Sequence, residues 1–370
     1  MKPFSLYLHI PFCVRKCAYC DFPSWAGKEE MIGPYVSALT AEIEQAGRHW
    51  PERRAETVFF GGGTPSVLTG EQMASLMDAV RSAFPLAPDA EISMEANPGT
   101  LTEDKLTAYR QAGINRLSIG AQALDDRLLR AIGRIHTKDE AMAAVMMAHQ
   151  AGFENISLDL MYGLPGQSVE DFSDTLNAAL TLPLTHLSMY SLIVEEGTPL
   201  FDRVEAGEAV PGDEDTLRMQ HEAARLAALC GFERYEISNY ARPGFECRHN
   251  LTYWRRGEYL GLGCAAHSLM ENVRFSNTAS LSGYLKGERL SDRQILTDTD
   301  TLEETVMLAL RTSEGMDMAL YRRLIGKDFS AKRRTIDRLI REEMAEEKGE
   351  RLVLTEKGMD VLNPVIEALV

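Results

Sequence analysis

The chain has 370 residues and a formal net charge of -16, long enough for two or three domains or one large α/β barrel with additions. Its 45% hydrophobic and 25% charged residues are those of a soluble globular protein, and no apolar run approaches the ~20 residues that span a bilayer. So acidic a surface repels phosphate backbones, which argues against a nucleic-acid partner.

The N-terminal stretch MKPFSLYLHIPF has no small-residue cleavage site and reads as a first strand, not a signal peptide. SLYLHI (5–10), TVFFGG (57–62), EISMEAN (91–97), RLSIGAQ (116–122), NISLDLMYG (155–163) and HLSMYSLIV (186–194) are predicted strands. They read as near-continuous apolar runs, as buried parallel strands do. Helical periodicity fills the gaps: Met73, Leu76, Met77, Val80 and Phe84 share one face. Thr69 with Gln72, Thr100 with Glu103, and Thr137 with Glu140 are capping-box pairs. Gly113, Gly152 and Gly231 each close a helix before an apolar residue. The methionines of AMAAVMMAHQ (141–150) and Cys230, beside Leu226 and Leu229, read as core.

Six strand–helix units predict an α/β fold, a partial (β/α)6 TIM-like barrel, with ligand chemistry at the carboxyl ends of its strands. Residues 1–205 form this barrel. A polar, Gly/Pro-punctuated connection then opens an additional α+β region, 206–300, with a helix at 217–230 and an irregular stretch to about 290. Residues 301–370 read as a small C-terminal helical, winged-helix-like domain, with a structural or lid role on so acidic a chain.

Three of the six cysteines, Cys13, Cys17 and Cys20, crowd into eight residues, while Cys230, Cys247 and Cys264 are dispersed. Such crowding does not suit a disulfide framework and points to a reducing cytoplasm. Zinc takes four ligands, commonly as two C-x2-C pairs, so His9 would have to complete a zinc set. An iron–sulfur cubane is the alternative, with one iron left open to a small molecule.

C-x3-C-x2-C with Tyr19 before the third cysteine resembles the radical S-adenosylmethionine superfamily. In that superfamily the open iron of a [4Fe-4S] cluster binds the amino and carboxylate groups of S-adenosylmethionine, and reductive cleavage yields a 5′-deoxyadenosyl radical. FFGGGTP (59–65) resembles its glycine motif, which implies that Gly62, Gly63 and Thr64 contact the cofactor. Tyr7, Glu95, Gln122, Arg134 and Asp159, with DLMYGLPGQ (159–167), are similar to the cofactor set of the HemN/HemW family. That family comprises oxygen-independent coproporphyrinogen III oxidases and heme chaperones, and the resemblance covers nearly the whole chain.

Within the family, Phe22 stands where the oxidase carries a fourth cysteine, and Tyr7 lies almost at the start, without the oxidase's long extension. HNLTYW (249–254) resembles the heme motif of the chaperones, which implies heme contacts from His249, Tyr253 and Trp254. A neutral imidazole is a common axial ligand. Cys247 is a candidate second iron ligand, and Arg248, Arg255 and Arg256 are candidate partners of the propionates. Cys264 and His267 in GLGCAAHS (261–268) are candidate ligands or closely packed small-residue neighbours. The expected function is heme binding and transfer to recipient hemoproteins, respiratory membrane-bound ones included, with radical decarboxylation of coproporphyrinogen III as the alternative. Arg15 and Lys16 either mark where an acidic flavodoxin- or ferredoxin-type reductant docks or are solvated loop charges. Peripheral contact with the inner membrane would run through a partner.

Overall fold

In the computed structural model, which describes all 370 residues, strands and helices alternate from the first residues onward. They are β1 (Lys2–Ile10), α1 (Ile32–His49), β2 (Arg53–Gly62), α2 (Gly70–Ala83), β3 (Leu86–Ala96), α3 (Glu103–Ala112), β4 (Arg116–Gln122), α4 (Lys138–Gln150), β5 (Asn155–Tyr162), α5 (Val169–Ala179) and β6 (His186–Ser191). Each strand pairs in parallel with the next, which gives the expected six-stranded partial barrel. Reciprocal capping boxes start α2 at Thr69–Gln72 and α4 at Thr137–Glu140. Thr100, in contrast, caps nothing. A 3-10 turn, Pro98–Thr100, intervenes, and α3 starts from Thr102, whose hydroxyl accepts from Lys105 N–H. Gly113, Gly152 and Gly231 take φ of +99°, +88° and +78°, the left-handed turn that glycine allows at a helix end.

The strands are not uniformly apolar. Leu6, Leu8, Val58, Phe60, Ile92, Met94, Leu117, Ile119, Ile156, Leu158 and Leu187 point outward and build one core with the helices. The alternate positions point inward: Ser5, Thr57, Glu91, Ser93, Arg116, Ser118, Ser157, His186 and Ser188, all buried. A strand presents successive side chains to opposite faces, so the lumen is lined with polar groups where closed barrels of this type carry layers of branched apolar residues.

Residues 206–300 extend the same sheet. α6 (Asp213–Leu229) packs on its outer face through Met219, Ala223 and Ala227. β7 (Glu233–Arg234) and β8 (Asn239–Ala241) add antiparallel at the β6 edge. After α7 (Arg248–Trp254), β9 (Tyr259–Leu262) pairs in parallel with β1, and β10 (His267–Met270), β11 (Val273–Asn277) and β12 (Leu290–Ile295) continue antiparallel. The twelve strands run in the order β12-β11-β10-β9-β1-β2-β3-β4-β5-β6-β8-β7. Cys230 is exposed, not in the core, because it caps the end of α6 beside a fully turned Gly231. Met142 and Met147 pack on the core, whereas Met146 is exposed.

From residue 298 the order is helix (Asp298–Ala309), strand (Met316–Asp317), two helices (Met318–Ile325, Phe329–Arg341) and a hairpin (Ala345–Lys348, Arg351–Leu354). This is the winged-helix order, and it has its own core around Val306, Leu310, Tyr321, Ile336 and Leu352. No helix is long and apolar enough to cross a membrane.

Candidate functional site

The loop after β1 carries Cys13, Cys17 and Cys20, all free thiols and all partly buried. No three His, Cys, Asp or Glu side chains converge on a single metal-ion position. His9 is committed elsewhere, with Nδ1 on Tyr7 OH at 3.0 Å and Nε2 on the Pro23 carbonyl at 2.9 Å. The fourth ligand of a zinc site is therefore missing, whereas a cubane takes one thiolate on each of three different irons. Donors already face the sulfurs: Thr64 Oγ1 lies 3.5 Å from Cys13 Sγ and Arg134 Nη1 3.4 Å from Cys17 Sγ. Burial, chiefly, raises the Cys20 thiol pKa.

The three thiols open onto a cavity of about 540 Å³ at the carboxyl ends of the strands. It is lined by Gly62, Gly63, Thr64, Glu95, Gln122, Arg134 and Asp159 together with Tyr19. Every S-adenosylmethionine residue expected from the sequence is there except Tyr7, which lies one layer deeper, its hydroxyl on His9. The glycines are needed for close approach. A Cβ on Gly63 would lie 2.8 Å from the Phe12 carbonyl and 3.0 Å from Cys13 Sγ, and one on Gly62, where φ is +116°, would lie 2.5 Å from the His9 ring. Gly63→Ala is therefore expected to displace the cysteine loop and to lose most of the iron on anaerobic reconstitution. Iron per chain, read against an unchanged far-UV spectrum, checks this.

Gln122 holds φ +68° at the end of β4, a backbone state that a non-glycine residue adopts at some cost and that clusters at ligand sites. Glu95 Oε2 accepts from Gly62 N–H at 3.0 Å. Desolvation and the neighbouring Asp159 carboxylate push its carboxyl up to about 8, against that hydrogen bond and Arg116. Arg134 Nη2 donates to the Gly120 carbonyl, while its buried Nε has no partner. A pocket with two carboxylates, a half-satisfied guanidinium and backbone approachable at glycines fits a ligand bearing both an ammonium and a carboxylate. Three thiolates beside it fit an open-iron cubane.

α7, which carries His249, Tyr253 and Trp254, plugs the opposite, amino-terminal mouth of the barrel. Glu91 on β3 receives the start of this helix, with Arg248 N–H at 2.9 Å and His249 N–H at 3.1 Å. Thr252 Oγ1 meets Ser5 Oγ at 2.8 Å. His249 is 1% exposed and stacks on Phe59 at 4.9 Å. Its Nδ1 lies 2.7 Å from Thr57 Oγ1, which gives its own proton to Ser5, so Nδ1 donates. Nε2 then accepts from Tyr253 OH at 2.8 Å. Burial, with help from Arg116, lowers the imidazole pKa to about 3, so the ring is neutral. Trp254 packs beside Phe59, Tyr235 and Leu251.

Other expected heme contacts are taken. Arg248 pairs with Asp89 and Glu56, Arg255 with Glu314, and Arg256 with Glu304. Cys247 is buried with its sulfur 3.6 Å from Glu91. Cys264 donates to the Thr278 carbonyl at 3.2 Å, and His267 is exposed on β10. Close packing accounts for that stretch, since a Cβ on Gly261 would strike the His267 backbone.

Sequence reasoning missed the inward-facing Glu91, Arg116, Ser118 and Tyr190. Glu95, Ser118, Asp159 and Tyr190 line both the large cavity and a smaller one of about 200 Å³ that runs down the lumen to His249. The period-two placing of polar residues in strands such as EISMEAN and RLSIGAQ is the signal that would have found them.

Residues 7–179 match the model of the radical SAM superfamily and residues 296–361 that of the HemN C-terminal domain. The chain is 38% identical to the heme chaperone HemW of Escherichia coli K12 over 99% of its own length and 98% of that protein's. It is also 38% identical to heme chaperone HemW of Mycobacterium tuberculosis H37Rv, over 100% of its length and 95% of the relative's. Coproporphyrinogen III oxidase (HemN) from Escherichia coli, a radical SAM enzyme, superposes with a TM-score of 0.86 at 24% identity, covering 100% of this chain and 90% of that one. At that identity the likeness shows the fold. Full-length similarity at this level, with the thiol loop and glycine turn in place, shows that the chain belongs to the HemW family of the radical S-adenosylmethionine superfamily.

Proposed function

We propose that the protein binds heme and hands it to recipient hemoproteins, on a scaffold that holds a [4Fe-4S] cluster and S-adenosylmethionine. The observation that carries this reading is the 38% identity with a heme chaperone over 99% of the chain, joined to a neutral His249 at the inner end of the lumen. In this reading Cys13, Cys17 and Cys20 hold the cluster. Gly62, Gly63, Thr64, Glu95, Gln122, Arg134 and Asp159, with Tyr7 and Tyr19 beside them, shape the S-adenosylmethionine pocket. When bound, the cluster supplies an electron to the sulfonium, as throughout the superfamily.

The chain's own groups have definite tasks. Glu95 and Asp159 attract the ammonium, Arg134 orients a carboxylate, and the glycines admit the ligand against the backbone. Nε2 of His249 carries the lone pair for iron; because the ring is 1% exposed and faces a cavity of about 200 Å³, Tyr253 must give up its hydrogen bond and α7 must swing away from the barrel mouth before heme reaches it. The reductant is an acidic flavodoxin- or ferredoxin-type protein that meets Arg15 and Lys16, both exposed beside the cysteines. The recipients include membrane-bound hemoproteins.

Hemin titration of the anaerobically reconstituted protein tests the reading. His249→Ala is expected to weaken hemin by about tenfold or more, ~1.4 kcal/mol, and to shift the Soret band while the cluster stays. An unchanged Soret band and affinity would remove His249 from the heme site. Coproporphyrinogen III supplied in parallel with S-adenosylmethionine and dithionite is expected to remain unconverted; protoporphyrinogen formation would turn the assignment to the oxidase.

A further inference from the structure

Arg116 is the most fully buried large side chain in the molecule that carries a charge, at 2% exposure. It stands at the first position of β4, facing inward, and lines the 200 Å³ lumen cavity together with Ser118, Ser188 and Asn250. Its Nε has no hydrogen-bond partner, and the guanidinium enters no salt bridge within the protein. Glu91 and Asp159 attract it through space, but the carboxylates around it make their hydrogen bonds elsewhere. Asp159 accepts from Ser118 at 2.8 Å and from Ser157 at 3.2 Å. Glu91 accepts from Ser93 at 3.2 Å and from the first N–H groups of α7. Glu95 bonds to Gly62. His186 bonds to Ser157 and Tyr235.

Burying a guanidinium without a hydrogen-bonded counter-ion is costly, and a planar fork of donors matches a carboxylate. The cavity is too small for a whole cofactor, since such pockets typically exceed ~300 Å³. It shares four lining residues with the large pocket, so a carboxylate can enter from that side.

We infer that the lumen cavity is a binding site for a carboxylate, recognised by Arg116, lying below the S-adenosylmethionine pocket and continuous with it through Glu95, Ser118, Asp159 and Tyr190. The carboxylate is either a propionate arm of a tetrapyrrole, a source that rests on the heme reading above, or a small free monocarboxylate, which does not.

The test uses the anaerobically reconstituted full chain, its Arg116→Met and Arg116→Lys variants, and three probes: hemin, hemin dimethyl ester and [1-13C]propionate. Cluster absorbance and far-UV dichroism certify each variant. If a tetrapyrrole arm is the source, the unaltered protein prefers hemin to its diester by about tenfold to a hundredfold, the usual worth of a charge-assisted hydrogen bond. Arg116→Met then abolishes the preference and Arg116→Lys keeps part of it. If a free carboxylate is the source, saturable broadening of the propionate resonance is seen and is lost in Arg116→Met, while hemin and diester are not distinguished. Equal behaviour of Arg116→Met and the unaltered protein in both arms overturns the inference. So does the absence of both hemin preference and propionate binding in the unaltered protein, which needs no variant to fold. Failure of hemin to bind at all counts against the heme reading, and the propionate arm then decides the present one.

Discussion

Cys17→Ser is expected to strip the protein of its iron–sulfur cluster: iron per chain after anaerobic reconstitution falls from about four toward zero, and the broad near-ultraviolet absorption disappears. Cys17 is chosen because Arg134 already points a donor at its sulfur, 3.4 Å away, so the thiolate formed on ligation is stabilised there. An alkoxide does not replace it, because serine stays protonated at any working pH. The fold does not depend on the loop, whose three thiols lie outside the outward-facing apolar core. Far-UV dichroism should therefore be unchanged. Cys230→Ser, at an exposed helix end, is the matched control and should retain all the iron. Since burial raises the Cys20 thiol pKa, assembly releases protons, and reconstitution is expected to run faster at pH 8.5 than at pH 7. A Cys17→Ser protein with full iron would remove the three-thiol loop from the cluster site.

The affinity for S-adenosylmethionine is expected to climb with pH toward about 8, where the Glu95 carboxyl titrates, and to climb no further, because the ligand's own α-ammonium loses its proton at about 7.7–8.0. Below that value the ligand's ammonium must displace a proton, and affinity falls by up to about tenfold per pH unit. Glu95→Gln should flatten the rising limb of this profile and weaken binding several-fold near pH 8, where carboxylate and ammonium are both partly charged. Stability carries the opposite sign. The folded chain holds the Glu95 proton between the unfolded carboxylate value and about 8, so stability is complete at low pH and declines as pH rises through that window. The slope is up to about 1.4 kcal/mol per unit, and Glu95→Gln should remove it from urea titrations. Isothermal titration across pH 6.5–9 checks the first effect. A wild-type profile flat over that range would show that Glu95 does not meet the ammonium.

The strands, the capping boxes at Thr69 and Thr137 and the glycine helix stops were legible because each is a local signal, decided within a few residues. So was the upper pocket, since parallel β/α topology delivers every strand end to one rim. The lower half was not. Arg116, Glu91 and His186 become neighbours only when six strands curl, and a lone charged residue at the head of a strand reads as a solvated terminus. Reading RLSIGAQ as continuously apolar hid its alternation, which is what gives the barrel a polar interior. The ion pairs of Arg255 and Arg256, beside the HNLTYW segment, were hidden for a similar reason. Their partners, Glu304 and Glu314, lie 48 and 59 residues farther along, beyond any local pattern. Thr100 failed as a cap because Pro98 diverts the chain into a tight turn first.

Those same two acidic residues belong to the winged-helix unit, yet they grip Arg256 and Arg255 at the exit of the stopper helix. The terminal unit thus works as a keeper plate. Trimmed after residue 295, the chain would retain all twelve strands and all three clustered thiols, and the upper cavity with them. Its stopper would then keep Glu91 at the entrance, with Ser5 on Thr252 and Asn272 on Arg256, but lose both ion pairs at the far end.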